Sequence, residues 1–330
     1  MKKHIGIGSI ISIVLIIFIF RKIDFHELML SFKRVNYLWI LLVSVLLIVN
    51  LYLKGYRWKI LFNKPKHIST YRLMHFFTIG IMANNFLPFR MGEVLRVYLT
   101  SKKLSLKNSK VAATVVVERI LDMLALLAIL FSVFFLFKKI AIPISVRNSS
   151  VVLLAITLII FIVLLISRKE RRLIVYIFEK LPKFKFKDKL LHIVHMFLDG
   201  LESFSHAHHF IQVIGLSLFI WLFEGGVYYI LTVAFGISVS YAGCLFLMVV
   251  ICLGVMVPSA PGYIGVFEAT TIAGFAVLGV GKTEALSFAL FVHAFQILVI
   301  SIAGFYFLWN EGMSFRDLKM QEDNLEEKSG

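Results

Sequence analysis

The sequence predicts an all-α polytopic membrane protein with about six spanning helices plus two re-entrant broken-helix hairpins in an inverted repeat. If the breaks cross instead, the alternative is eight or more full spans. Three observations predict this class. Hydrophobic residues make up 59% of the chain and its mean hydropathy is +0.88, which excludes a soluble domain. Uncharged runs of 16 residues or more recur along it, near the length a bilayer demands. Two further apolar stretches, one in each half, carry the same kind of polar break, NNFLPFRMGE at 84 to 93 and PSAPGYIGVFE at 258 to 268. Irregular backbone at membrane depth survives only where protein or a wet cavity satisfies it. A Gly/Pro-broken segment in each half therefore points to a transport site between repeats.

The amino end, Met1-Lys2-Lys3 and then the apolar residues 5 to 20, has the outline of a secretory signal. It lacks a small-x-small cleavage site and is closed directly by Arg21-Lys22, so it is expected to be the first transmembrane helix. Spans follow at 37 to 53, 111 to 137, 151 to 167, 210 to 235 and 285 to 309, with the broken regions at 73 to 100 and 241 to 281. With re-entrant breaks and a cytoplasmic amino terminus, 24 Lys and Arg fall inside and 8 outside, as the positive-inside rule asks. This places residues 54 to 72, 101 to 110 and 168 to 209 in cytoplasmic segments, with both termini of this multi-pass cell-membrane protein in the cytoplasm. Residues 1 to 309 then form one integral membrane domain, with halves at 1 to 137 and 151 to 309. A basic cytoplasmic loop at 168 to 209 and a polar, disordered tail at 310 to 330 complete it. The basic loop and the net charge of +16 suit an anionic membrane surface rather than nucleic acid.

Several chemistries are disfavoured. Cys244 and Cys252 share one apolar run, so no disulfide is expected. His206, His208 and His209 lack a Cys or carboxylate at ligand spacing, so neither metal nor cofactor is expected. There is no HExxH and no nucleophile elbow, and no catalytic residue is assigned.

Charges near mid-bilayer are expensive and normally face a bundle interior, where they pair or bind substrate. Arg90 and Arg96 bracket Gly92 and Glu93; two guanidiniums beside a helix amino terminus form a candidate phosphate clamp, or they snorkel to the interface. Asn84 and Asn85 either cap the half-helix or meet substrate. Helical spacing lets Asp122 pair with Arg119, which either simply allows the helix to insert or leaves both to meet substrate; Glu118 has no obvious local partner and is expected to cancel a cation such as Arg90 or Arg96, or to bind a cationic group. Pro258, Pro261, Gly262 and Gly265 unwind the second break, and Glu268 is a cap, a coupling-ion site or a headgroup site. Glu224 needs a partner; His293 and Gln296 read as interhelical hydrogen bonders.

Together NNFLPFRMGEVLR (84 to 96), VVERILDML (116 to 124) and PSAPGYIGVFEA (258 to 269) resemble the lysylphosphatidylglycerol synthase transmembrane-region family over residues 10 to 308. Tyr263 stands where a further glycine is common. The resemblance implies translocation of a phosphate-bearing or aminoacylated lipid, or assistance to an enzyme of lipid headgroup or envelope glycolipid synthesis. A lipid synthase or glycosyltransferase partner, and a homo-oligomer, are compatible with it. In two-part members the synthase is a separate cytoplasmic domain; only 21 residues follow Trp309, so that chemistry is not expected here.

Overall fold

A computed structural model describes residues 25–33, 35–62, 67–87, 91–136, 207–256 and 259–314, with a few isolated positions elsewhere. The expected spans at 5 to 20 and 151 to 167, the basic loop, most of the tail, Pro88 to Arg90 and Pro258 lie wholly or largely outside the described residues. The described regular elements are all helical. They are α1 (Phe25–Lys33), α2 (Tyr37–Ile60), α3 (Thr70–Phe86), α4 (Met91–Leu104), α5 (Asn108–Leu136), α6 (Ala207–Ala234), α7 (Tyr241–Gly254), a 3-10 turn (Pro261–Tyr263), α8 (Val266–Val277) and α9 (Lys282–Asn310).

Among the described residues, three helices are long and apolar enough to cross a membrane: α2, α6 from Ile211 onward, and α9. Helix α5 matches their length, with 29 residues, but carries Glu118, Arg119 and Asp122. The chain is thus an all-α, polytopic membrane protein. Helix α2 corrects one boundary. The expected span ended at residue 53, whereas the helix runs to Ile60 with Arg57 and Trp58 buried inside the protein. Lys54 and Arg57 therefore belong to the bundle and not to a cytoplasmic loop.

Both broken regions fold as antiparallel pairs of short helices. The arms have 17 and 14 residues in α3 and α4, and 14 and 12 in α7 and α8. At 1.5 Å per residue these are about 18 to 26 Å long, shorter than a hydrocarbon core of about 30 Å. Glycines let the arms close. A Cβ at Gly92 would collide with the Gly80 carbonyl oxygen and the Asn84 side chain, and one at Gly254 with Thr270.

Most of the packing is symmetrical, the exception being the contact of α5 with α6, which has no counterpart of comparable extent between α9 and α2. Helix α2 packs on α3 and α6 on α7; α4 packs on α5 and α8 on α9; α5 packs on α7 and α9 on α3; α2 packs on α6. Exchanging α2 through α5 with α6 through α9 maps these contacts onto one another. The first hairpin and the ends of α2, α5 and α9 share one apolar core, and the second hairpin shares another with α5, α6 and α9.

Candidate functional site

The break between α3 and α4 is bridged by a side chain. Asn84 Oδ1 accepts the Gly92 N–H at 2.8 Å, satisfying one orphan donor of the new half-helix. The expected cap is therefore Asn84. Asn85 leaves its Nδ2 buried and unpartnered among the described residues, while its carbonyl oxygen lies 3.4 Å from where a Gly262 Cβ would sit. The tips of the two hairpins thus touch.

Beside them is a cavity of about 160 Å³. Among the described residues its wall carries the cations Lys54, Arg57, Arg96 and Arg119 and the carboxylates Glu93 and Asp122; Asn84, Trp221 and Tyr263 also line it. Glu118 stands behind the wall, fully buried. Arg96 meets it with two donors, at 3.2 and 3.1 Å, and lies between the rings of Trp58 and Phe77 at 4.2 and 4.8 Å. Bidentate geometry and two aromatic faces hold this guanidinium in place. Arg57 donates to Asp122 and, at 3.1 Å, to Ser217; it also lies 3.8 Å from Glu118. Arg119 donates to Glu118 and sits 3.7 Å from Asp122 and 3.9 Å from Glu93. The expected Arg119 to Asp122 pair exists, but only as one edge of this network.

The members differ in access. The side chains of Arg57, Arg96 and Glu118 are at most 3% exposed, whereas those of Arg119 and Glu93 are 40% and 32% exposed. Arg96 is thus committed to Glu118, and Arg119 offers the open guanidinium. The Nε atoms of Arg57, Arg96 and Arg119 are buried without a hydrogen-bond partner among the described residues. Arg90, the other half of the expected clamp, lies outside the described residues.

Glu224 finds its partner across the halves: Lys54 Nζ at 2.7 Å, joined by Asn50 at 3.3 Å. Trp221 donates from Nε1 to Asp122 at 2.9 Å, and the Lys54 ammonium lies 5.3 Å from its ring. Lys54, Arg57 and Trp221 were missed by the sequence reading, although Asn50, Lys54 and Arg57 repeat at helical spacing on one face, as do Ser217, Trp221, Glu224 and Tyr228.

The second break is built differently. Gly262, Tyr263 and Gly265 have φ of 71°, 60° and 86°, left-handed values suited to glycine and costly for Tyr263. Pro261 opens the 3-10 turn. Glu268 Oε2 accepts the Gly265 N–H at 2.7 Å, capping α8. Its Oε1 lies 2.6 Å from Nδ1 of His293, whose Nε2 meets the Gly262 carbonyl at 2.7 Å. His293 thus joins α9 to α8 and to the 3-10 turn as an interhelical hydrogen bonder.

Against the opposite side of α5 and α6 lies an apolar groove of about 630 Å³, lined by Leu121, Ala125, Ala128, Ile214, Leu218 and neighbours. Ser217 lines this groove while bonding Arg57 of the polar cavity. One layer of side chains separates the two.

The profile of the lysylphosphatidylglycerol synthase TM region matches residues 5–304. A UPF0104 membrane protein of Methanothermobacter thermautotrophicus is 24% identical over 289 residues, covering 82% of this chain and 83% of that one. Another, from Methanocaldococcus jannaschii, is 24% identical over 222 residues, covering 66% and 85%. No solved structure matches the chain. The matched profile describes the membrane region and carries no synthase chemistry with it; it supports a flippase-like role in membrane transport.

Proposed function

The chain belongs to the lysylphosphatidylglycerol synthase transmembrane-region family, and on that footing we propose that it moves a phosphate-bearing lipid, with or without an aminoacyl group, between leaflets. One observation carries the reading. The tips of two short antiparallel hairpins, one from each half, meet beside a cavity walled by four cations and two carboxylates. The headgroup phosphate enters this cavity, where Arg119 and Lys54 are its contacts and Arg57 and Arg96 supply buried positive field. Glu93 receives an amine where the headgroup carries one. The hydrocarbon chain stays in the groove between α5 and α6; 630 Å³ falls within the usual range for ligand pockets. Ser217 and Asp122 mark the seam between polar and apolar portions of the path.

In this reading both hairpins re-enter the membrane, and the swapped packing of the two halves is an inverted repeat working by alternating access. Short arms and the charge distribution support it. Cysteines introduced near Lys107 should label only from the cytoplasm and ones near Lys282 only from outside. Outside labelling near Lys107 would remove the first hairpin's re-entry.

The function is tested with the purified chain in vesicles carrying fluorescent phosphatidylglycerol, aminoacylated phosphatidylglycerol or phosphatidylethanolamine. Exchange between leaflets faster than in empty vesicles, lost in Arg119→Gln, is expected. No exchange of any of them above empty vesicles would overturn the reading.

A further inference from the structure

The second hairpin holds a hydrogen-bond pattern that cannot be completed without one exchangeable proton. The Gly262 carbonyl oxygen can only accept, so His293 Nε2, 2.7 Å away, carries a hydrogen. Nδ1 faces Glu268 Oε1 at 2.6 Å. If the imidazole were neutral with its hydrogen on Nε2, Nδ1 would present a lone pair to a carboxylate at that distance, which is repulsive. A proton therefore lies between them, leaving either an imidazolium beside a carboxylate or a neutral imidazole beside a carboxylic acid. Either way the proton belongs to the pair. Glu268 Oε2 is already occupied by the Gly265 N–H at 2.7 Å.

The surroundings make this proton consequential. Both side chains are 8% exposed, and the imidazole is stacked on Phe267 at 4.3 Å between ring centroids. With its proton the pair is neutral; without it the site holds a net negative charge at the tip of an apolar hairpin. Among the described residues no other ion pair joins either group. Helix α7 carries no Asp, Glu, Lys, Arg or His. Helix α1 packs its Leu28 toward α9 while His26 and Glu27 are among its other residues. The ionisable groups of α3, Arg72 and His75, meet Glu311 at the far end of α9, where Lys103 of α4 also reaches it. Lys282 and Glu284 lie in the first turn of α9, and Tyr263 faces the polar cavity. The two anchors of the proton pair are the left-handed Gly262 and Gly265, the hinge points of the break.

We propose that His293 and Glu268 form a proton-binding site that couples proton movement to opening of the second hairpin. With the proton bound, His293 bridges Gly262 to Glu268 and clamps the break against α9. When the proton passes to water entering the break, Nδ1 and Oε1 repel, one of the two His293 contacts is lost, and the hairpin tip is released from α9. The tip touches Asn85 beside the headgroup cavity, so release changes the wall of that cavity. The coupling rests on the transport reading; the proton site itself does not.

Glu268→Gln separates the possibilities, because an amide can donate to Nδ1 and accept from Gly265 N–H, keeping every bond without an exchangeable proton. The full chain is placed in vesicles of phosphatidylcholine and phosphatidylglycerol with fluorescent phosphatidylglycerol outside and a pH-sensitive dye inside. An imposed pH gradient should change the initial rate of leaflet exchange several-fold in the native chain, with accompanying proton flux, and leave Glu268→Gln unresponsive. A native chain indifferent to the gradient, or a responsive Glu268→Gln, would overturn the coupling. The site is read separately in the native chain by nitrogen-15 resonance of the His293 ring and infrared absorption of the Glu268 carboxyl at neutral pH. An imidazolium, or a carboxylic acid beside a neutral ring, is expected. A neutral ring beside an ionised carboxylate would overturn the proton site, whether or not lipid moves and whether or not the variant folds.

Discussion

Glu93 and Glu268 occupy the same place in their hairpins, the third residue of the returning half-helix, yet they are used in opposite ways. Glu268 folds back onto its own amino terminus and is sealed by His293. Glu93 leaves that task to Asn84 and turns toward Arg119 at 3.9 Å, one-third exposed in the cavity. The first hairpin is therefore held by charges from neighbouring helices and by close glycine contact, and the second by backbone conformation and one shared proton. A device with many ion pairs suits a fixed binding wall; one whose clamp depends on a single proton suits the moving part.

Five single substitutions, and one double change, would break or sharpen this contrast. The largest effect is expected for Asp122→Ala, which takes from the buried Arg57 its hydrogen-bonded carboxylate and leaves it Glu118 at 3.8 Å; it should cost about 3 kcal/mol or more of stability. Thermal unfolding in detergent measures it, and Arg57→Met with Asp122→Leu should cost less than the two single changes added together. Next is Gly92→Ala, where a Cβ meets the Gly80 carbonyl and Asn84; overpacking of this kind costs about 1 to 3 kcal/mol. Gly262→Ala has room for its Cβ, the nearest atom being 3.4 Å away, and should cost only the left-handed penalty of about 1 to 2 kcal/mol. If Gly262→Ala proved the more damaging in the same unfolding assay, the contrast between steric and conformational hinges would fail. Asn84→Ala removes a cap and should cost about 1 kcal/mol. The smallest stability effect, below about 1 kcal/mol, is expected for the half-exposed Arg119→Gln. Leaflet exchange should nevertheless fall by at least tenfold in that variant, measured in vesicles beside the unfolding curve.

Much of this architecture was legible beforehand. The two breaks, the antiparallel arms and the run of helices follow from glycine, proline and apolar length alone. So did the need for Glu224 and Glu118 to find partners. Arg96 was in view as a partner for Glu118, but the partner of Glu224 and the place of Arg57 were hidden for a physical reason. A basic residue just past an apolar run satisfies the positive-inside rule equally well in a loop or in a continuing helix, and residues 54 to 57 were assigned to the loop. The face Asn50, Lys54, Arg57 is a helical repeat that charge counting ignores. Trp221 was invisible as a polar residue because an indole reads as apolar until its N–H finds Asp122. The exposure difference between Arg96 and Arg119 depends on which helix each faces, and no local pattern encodes that.

Burial of Arg57 also bears on how the chain is made. Its carboxylate partner Asp122 is 65 residues downstream and its hydroxyl partner Ser217 is 160. At synthesis rates of about 5 to 20 residues per second, roughly 3 to 13 s separate the making of Arg57 from that of Asp122. Released into lipid alone, a helix with that guanidinium at depth is penalised by about 2.5 to 3.5 kcal/mol. The order of synthesis therefore favours early docking of α2 against α5 and α6, which supply the partners of Arg57, over its release into lipid alone.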